Sequence, residues 1–412
     1  MKIMKSGKVY LNIYQMACYI CLLIVAMPVV NYYCNWYVTL LPFLFICYRL
    51  VKYKSTFKEV VILMGMAIIF TLIEFWGVYR NQDFFMWLID GIIVWLPCLI
   101  AIYIKNGESD KFTKKYVQAI VAIMTITSIT TIIGLIMYPQ ASRELASGTE
   151  IYDTTKYLLR NIGGYEHIYA LVVLIPVMLW LIKNNEKMLK VFNIICMVVN
   201  LYCIYRSQYT IAIISAIVIL LFLFAQKHKK TVLVMLVIVA VSLFIGGTDI
   251  MTFLSKVFLV LSKNIGLDYV KDRMLQVSQL FQGVTIATET SADRIEYYQN
   301  CWKGFLKSPI WGNNFGAFSE NNVSGHSMVL DMLSGMGLIG FASVLCLFLI
   351  SIRTLIKSKI KEISGTVIIT WSAFILVSIL NPSSFMTIFM ILFVGSVCIQ
   401  RMEKQNESFM GM

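Results

Sequence analysis

Apolar runs of about twenty residues recur along this whole chain, and a run of that length wound as a helix matches the roughly 30 Å hydrocarbon core of a bilayer. Backbone inside lipid has no water to bond with, so each run must close its own hydrogen bonds as a helix. We read spans near 10–30, 35–51, 60–77, 84–104, 116–138, 166–182, 190–205, 209–225, 231–247, 327–352, 364–380 and 384–400. Composition excludes a soluble domain, since 59% of residues are hydrophobic, only 14% are charged and the mean hydropathy is +0.76. The expected fold is an all-α integral membrane protein with about 12 transmembrane helices.

Basic residues set the orientation, because lysine and arginine flanking a span are retained on the cytoplasmic side. With both termini inside, 23 of the 35 Lys and Arg residues fall in the inner segments, from Lys2, Lys5 and Lys8 to Arg401 and Lys404. The net charge of +13 is thus a topology signal before it is a statement about partners, and a nucleic-acid role is not expected. The first span follows a basic start but has no small-residue cleavage site after it, so it reads as a retained helix. Eight of the ten cysteines lie in apolar spans, Cys18 and Cys21 among them, which points to packing.

Inner connections are short, leaving function to the outer face. The chain divides into 1–247, with spans one to nine and an outer loop near 139–165; 248–326, a large outer loop with amphipathic helices; and 327–412, with spans ten to twelve and a cytoplasmic tail. In the large loop, Phe253, Leu254, Val257, Phe258 and Leu261 recur at helical spacing, as do Val270, Met274, Val277 and Phe281. A clearer helix follows with Ser291 as its N-cap; Ile295, Tyr298, Trp302, Phe305 and Leu306 line one side, and Ser308-Pro309 ends it. This helix is expected to lie along the membrane surface with Arg294 at its start.

His326 stands where that loop meets the tenth span, with Arg294, Arg273, Arg160 and Arg206 expected on the same face. Arginine is costly near hydrocarbon and its planar fork fits phosphate oxygens, so this set beside a titratable histidine suits an anionic substrate. Asp331 follows His326 by five residues, about 140° round a helix, so the two do not share a face. Asp331 and Asp90 are expected to face the bundle interior in structural roles. "VNYYCNW" (Val30–Trp36) offers no carboxylate to a hard cation, and no metal is expected.

The stretches "SADRIEYYQNCWKGFLKSPIWGNNFGAF" and "SGHSMVLDMLSGMGLIGF" resemble the signature of the O-antigen ligase and polymerase superfamily: an arginine, an amphipathic helix, a Pro-x-x-Gly turn, then His-Ser before a helix ending Gly-Leu-Ile-Gly. "RNIGGYEHIYALVVLIPVML" and "YRSQYTIAII" are similar to two upstream blocks of the capsular and exopolysaccharide polymerases, and blocks and spans from about 60 to 400 fit in order. Tyr205-Arg206-Ser207-Gln208 departs from the Ser-Arg-Gly or Ser-Arg-Thr of many members.

The resemblance implies a C-type glycosyltransferase fold in the bacterial cytoplasmic membrane, with its active site facing outward. Such an enzyme moves a growing glycan from undecaprenyl diphosphate onto the next lipid-linked repeat unit. It implies His326 and Arg294 as catalytic, Arg206, Arg160 and Arg273 as contacts to the diphosphate, and Glu166 and His167 as acceptor contacts. Its partners are lipid-linked oligosaccharide donor and acceptor, the bilayer, and the flippase and chain-length regulator of the same pathway; no cofactor is implied. A ligase that passes finished glycan to another acceptor shares the signature. A flippase or transporter is the non-enzyme rival, though two related halves, expected of it, are not visible.

Overall fold

The computed structural model describes residues 12–34, 36–52, 54–77, 83–141, 144–145, 154–227, 289–312, 327–356, 364–381 and 386–410, with isolated positions between 256 and 275. All regular structure among them is helical. The helices are α1 (Ile13–Ala26), α2 (Pro28–Tyr33), α3 (Trp36–Lys52), α4 (Lys54–Gly77), α5 (Phe84–Ile93), α6 (Leu96–Gly107), α7 (Asp110–Met137), α8 (Thr155–Leu158), α9 (Tyr165–Asn184), α10 (Lys187–Arg206), α11 (Thr210–Lys227), α12 (Glu289–Lys307), α13 (Met328–Ile356) and α14 (Gly365–Leu380). A last rod joins α15 (Met386–Phe389), a π-helical segment (Met390–Gly395) and α16 (Ser396–Met410).

Among the described residues, seven helical stretches are long and apolar enough to cross a membrane: Thr56–Phe75, Phe84–Asn106, Asp110–Met137, Tyr165–Asn184, Lys187–Arg206, Met328–Leu355 and Met386–Glu403. Ile13–Ala26, Ile211–Phe224 and Gly365–Leu380 are apolar but shorter. The apolar segment 231–247 lies outside the described residues. This is the architecture of an all-α, multi-pass membrane protein.

Two of the spans read from the sequence are broken by proline. Pro28 has no N–H to continue α1, Met27 turns extended, and α2 starts at Pro28. The stretch 84–107 is two helices that part at Val94-Trp95, with Pro97 in the first turn of the second, where a missing N–H costs nothing.

α9 is buried along most of its length and packs on α10, α11 and α14. Beside it Phe348 centres an aromatic cluster with Trp95, Phe374 and Phe389, the ring centroids 5.2 to 5.7 Å away. One end of the bundle is tied by charge: Arg401 Nη2 donates to Asp110 Oδ1 at 2.7 Å and to the Glu108 carbonyl at 3.0 Å. Glu108 in turn accepts from Gln15 Nε2 at 2.6 Å and from the Tyr103 hydroxyl.

Three expectations need correction. Asp90 is exposed rather than interior, because α5 packs by one side only, on α4 and α3. α12 begins at Glu289, so Ser291 lies inside the helix and is not its cap. α12 also packs against α13 instead of lying apart on a surface, and the residues turned to α13 are the small Cys301 and Gly304, while Trp302 and Leu306 are exposed. None of the ten cysteines is in a disulfide; Cys18 and Cys21 are fully buried, as packing requires.

Candidate functional site

Within the apolar helix α7, "TITSITT" (Thr125–Thr131) places five hydroxyls in seven residues, and Thr125, Thr127, Ser128 and Thr131 are buried. They organise the end of the bundle where α9 begins. Thr127 Oγ1 donates to the Ala26 carbonyl at 3.0 Å, fixing the end of α1. Thr131 Oγ1 donates to the Thr127 carbonyl at 2.7 Å and accepts from the Gly163 amide at 2.8 Å. Asn161, in the left-handed region with φ 56°, accepts from the Val29 amide at 3.3 Å and donates to Thr130 Oγ1 at 3.0 Å. The turn "RNIGGYEH" is thereby pinned to both α7 and the α1–α2 junction.

Gly163 is required by a close approach: a Cβ there would stand 2.6 Å from the His167 side chain. His167 is 3% exposed and its Nε2 lies 3.0 Å from Ser128 Oγ. Ser128 Oγ also lies 3.0 Å from the Met124 carbonyl. His167 Nδ1 is buried without a partner.

Glu166 lies in the first turn of α9, where the positive end of the helix dipole favours a carboxylate. Its Oε1 accepts from the Thr387 amide at 3.3 Å and from the Thr387 hydroxyl, which also lies 2.7 Å from the Val25 carbonyl. Glu166, His167 and Thr387 line a cavity of about 510 Å³, together with Asn31, Tyr32 and Tyr165. Tyr165 is held by stacking on Tyr209, with centroids 4.4 Å apart and planes 18° apart. Among the described residues, the lining contains a carboxylate, an amide, a hydroxyl and phenols, but no Lys or Arg.

The arginines stand elsewhere. Arg206 ends α10, three residues before Tyr209; its Nη2 donates to the Leu135 carbonyl at 3.4 Å and its Nε is buried without a partner. Arg160 is exposed, with its guanidinium 5.1 Å from the Tyr138 ring centroid and Nη1 donating to the Lys156 carbonyl at 3.0 Å. Both thus gather at the C-terminal end of α7, where unpaired carbonyls favour cations. Arg294 sits on α12, but its side chain, Arg273 and His326 lie outside the described residues. Asp331 Oδ2 accepts from the Ser327 amide at 3.4 Å and its Oδ1 lies 3.6 Å from Cys301 Sγ.

Of the expected site residues, the fold brings Glu166 and His167 together in one cavity and sets Arg160 and Arg206 around the neighbouring helix end. It adds Thr387, Asn31 and the α7 hydroxyls, which the sequence reading does not single out. The hydroxyl run in an otherwise apolar span is the signal that could have found them. No protein-family model, curated protein or solved structure matches this chain.

Proposed function

We propose that this protein is a polysaccharide polymerase that transfers a growing glycan from undecaprenyl diphosphate to the next lipid-linked repeat unit, at the outer face of a bacterial cytoplasmic membrane. In this reading the twelve apolar segments are twelve spans, both termini are cytoplasmic, and the cavity opens outward. The observation that carries it is the cavity's lining: the Glu166 carboxylate beside the polar groups of Asn31, Tyr32, Tyr165, His167 and Thr387, with no Lys or Arg among the described lining residues. A carboxylate set among phenols, an amide and a hydroxyl suits a sugar, whose ring of hydroxyls both donates and accepts. A diphosphate would be repelled there, so this is the seat of the acceptor glycan, and the donor's diphosphate belongs with the arginines.

The chemistry then divides among the residues. The acceptor hydroxyl attacks the donor's anomeric carbon, forming a C–O bond as the bond to the carrier breaks. Its proton passes to His326, whose ordinary pKa lies near working pH. The bonding pair leaves with the diphosphate, and Arg294, Arg206, Arg160 and Arg273 offset the developing charge. Glu166 holds a neighbouring hydroxyl and sets the angle of attack.

Purified protein incubated with lipid-linked repeat units from its own gene cluster should yield a glycan ladder on a gel, and His326→Ala should lose it while remaining folded. Native substrate and folded wild type giving no ladder, but glycan on another acceptor, would make the protein a ligase. Neither product would overturn the transferase reading and turn attention to transport.

A further inference from the structure

The most unusual backbone among the described residues joins α12 to the middle of α13. Inside α13, Gly337 leaves the helix with φ 61° and ψ −160°, and the amides just beyond it bond out of the helix: Leu338 N donates to the Pro309 carbonyl at 2.9 Å and Ile339 N to the Ile310 carbonyl at 3.2 Å. The turn that follows α12 supplies those carbonyls and closes at Gly312, φ 79°. The two glycines touch: a Cβ on Gly312 would lie 2.3 Å from the Gly335 carbonyl oxygen, and one on Gly337 2.4 Å from the Gly312 amide nitrogen. Only a backbone without side chains at both points permits this seam.

Depth follows from two independent rulers. At one end Tyr298 OH donates to the Leu380 carbonyl at 3.4 Å, and Met328 N donates to the Asn381 carbonyl at 3.3 Å, so Tyr298, Met328 and the end of α14 are level. From there to the seam, ten residues of α13 (Ser327 to Gly337) span about 15 Å and eleven residues of α12 and its turn (Tyr298 to Pro309) about 16 Å. The Cys301–Asp331 contact falls between, three residues on from the level point along each rod, as two parallel rods require. α14 has 16 residues, about 24 Å, so with its Ser364 end, which bonds Gln400 and Glu403, at one boundary of a hydrocarbon core of roughly 30 Å, its Leu380 end does not stand clear of the other.

We propose that the second half of α12 and the Pro309–Gly312 turn form a re-entrant limb that descends along α13 to about mid-depth of the bilayer and faces lipid acyl chains. Trp302, Leu306, Ile310 and Trp311 are 49 to 64% exposed and follow one another down its outer side. They continue the exposed apolar surface of α13 at Leu338, Leu345 and Leu349. Irregular backbone at that depth is tolerated only inside protein, and Gly312 and Gly337 are both buried, with the amides beyond the break satisfied by the turn. Lys303 and Lys307 are exposed on the same limb. Helical side chains tilt toward the helix N-terminus, here the headgroup side, so their stems run along the limb and their ammonium groups reach back toward lipid phosphates.

The test uses the full chain in lipid nanodiscs, where both faces meet water, with an environment-sensitive thiol dye on Leu306→Cys or Trp311→Cys and wild type as the background for native cysteines. Leu159→Cys, in the exposed turn after α8, is the aqueous reference. Phospholipids brominated along the acyl chain should quench the dye at 306 and 311 several-fold more than aqueous iodide does, and the order should reverse at 159. Dyes at 306 and 311 that follow the 159 pattern, or that neither quencher reaches, would overturn the proposal. Gly337→Ala, if it folds, should shift the 311 dye toward iodide; if it does not, the first comparison still decides. The outcome does not depend on whether the protein transfers glycan.

Discussion

Thr131→Val tests the pinning of the cavity turn most directly. Valine keeps nearly the shape of threonine, and the site is fully buried, so no cavity opens. What disappears is the acceptor for the Gly163 amide at 2.8 Å, while the Thr127 carbonyl keeps its helical partner. A buried N–H left without a partner costs about 1–3 kcal/mol. With an unfolding entropy of about 2 cal/mol/K per residue, a chain of this size shifts its midpoint by roughly 1 °C per kcal/mol, so a loss of about 1–4 °C is expected. Thr370→Val is the matched control: it is equally buried, but its hydroxyl only back-bonds to the Thr366 carbonyl, which the helix still satisfies. Its expected cost is under about 1 kcal/mol. Thermal unfolding in detergent, followed by tryptophan fluorescence, separates the two. Equal shifts would refute the argument that the α7 hydroxyls hold the turn; a larger shift for Thr131→Val, together with lost glycan transfer, would tie that turn to the cavity.

Glu166→Gln should leave the protein folded and raise the KM for acceptor about 10- to 100-fold, the worth of one or two charge-assisted hydrogen bonds, with less effect on kcat; steady-state rates at varied acceptor decide it. Arg401→Ala removes the guanidinium that joins Asp110 to the Glu108 and Ile104 carbonyls, and should lower stability by about 1–3 kcal/mol without touching the cavity, read as a thermal shift with unchanged turnover. The Tyr157 hydroxyl is raised from its ordinary value of 10, first by burial and then by its 2.6 Å bond to Glu144. A raised acid contributes stability below pH about 10 and loses it as pH climbs through the folded value, so the advantage of wild type over Tyr157→Phe should shrink above pH about 10 in thermal scans.

The helices were legible because lipid imposes one length and one kind of backbone, and apolar runs report both. Their interruptions were legible only in part: Pro28 and Pro97 announce breaks, whereas the π-helical turn at Met390–Gly395 has no proline to mark it. Glu166 and His167 could be named from the sequence through the resemblance of their block, at the membrane end of the first long outer loop. Thr387 could not, because a threonine in a span usually bonds to its own helix, as Thr125 and Thr370 do at 2.8 and 2.9 Å.

α12 shows why periodicity misleads in such a protein. Ile295, Tyr298, Trp302, Phe305 and Leu306 recur at helical spacing, and in water that stripe would turn inward. Here Trp302 and Leu306 point out, and the side that meets α13 is marked by Cys301 and Gly304. Between helices in lipid there is no hydrophobic gain from facing a neighbour, since acyl chains are as apolar as leucine. Close backbone approach and hydrogen bonds decide the interface instead, and both call for small residues. The Gly312–Gly337 contact is the extreme of the same rule, with two amides bonded across the seam. Small residues, read at helical spacing, would have located α12's inner face where hydrophobicity could not.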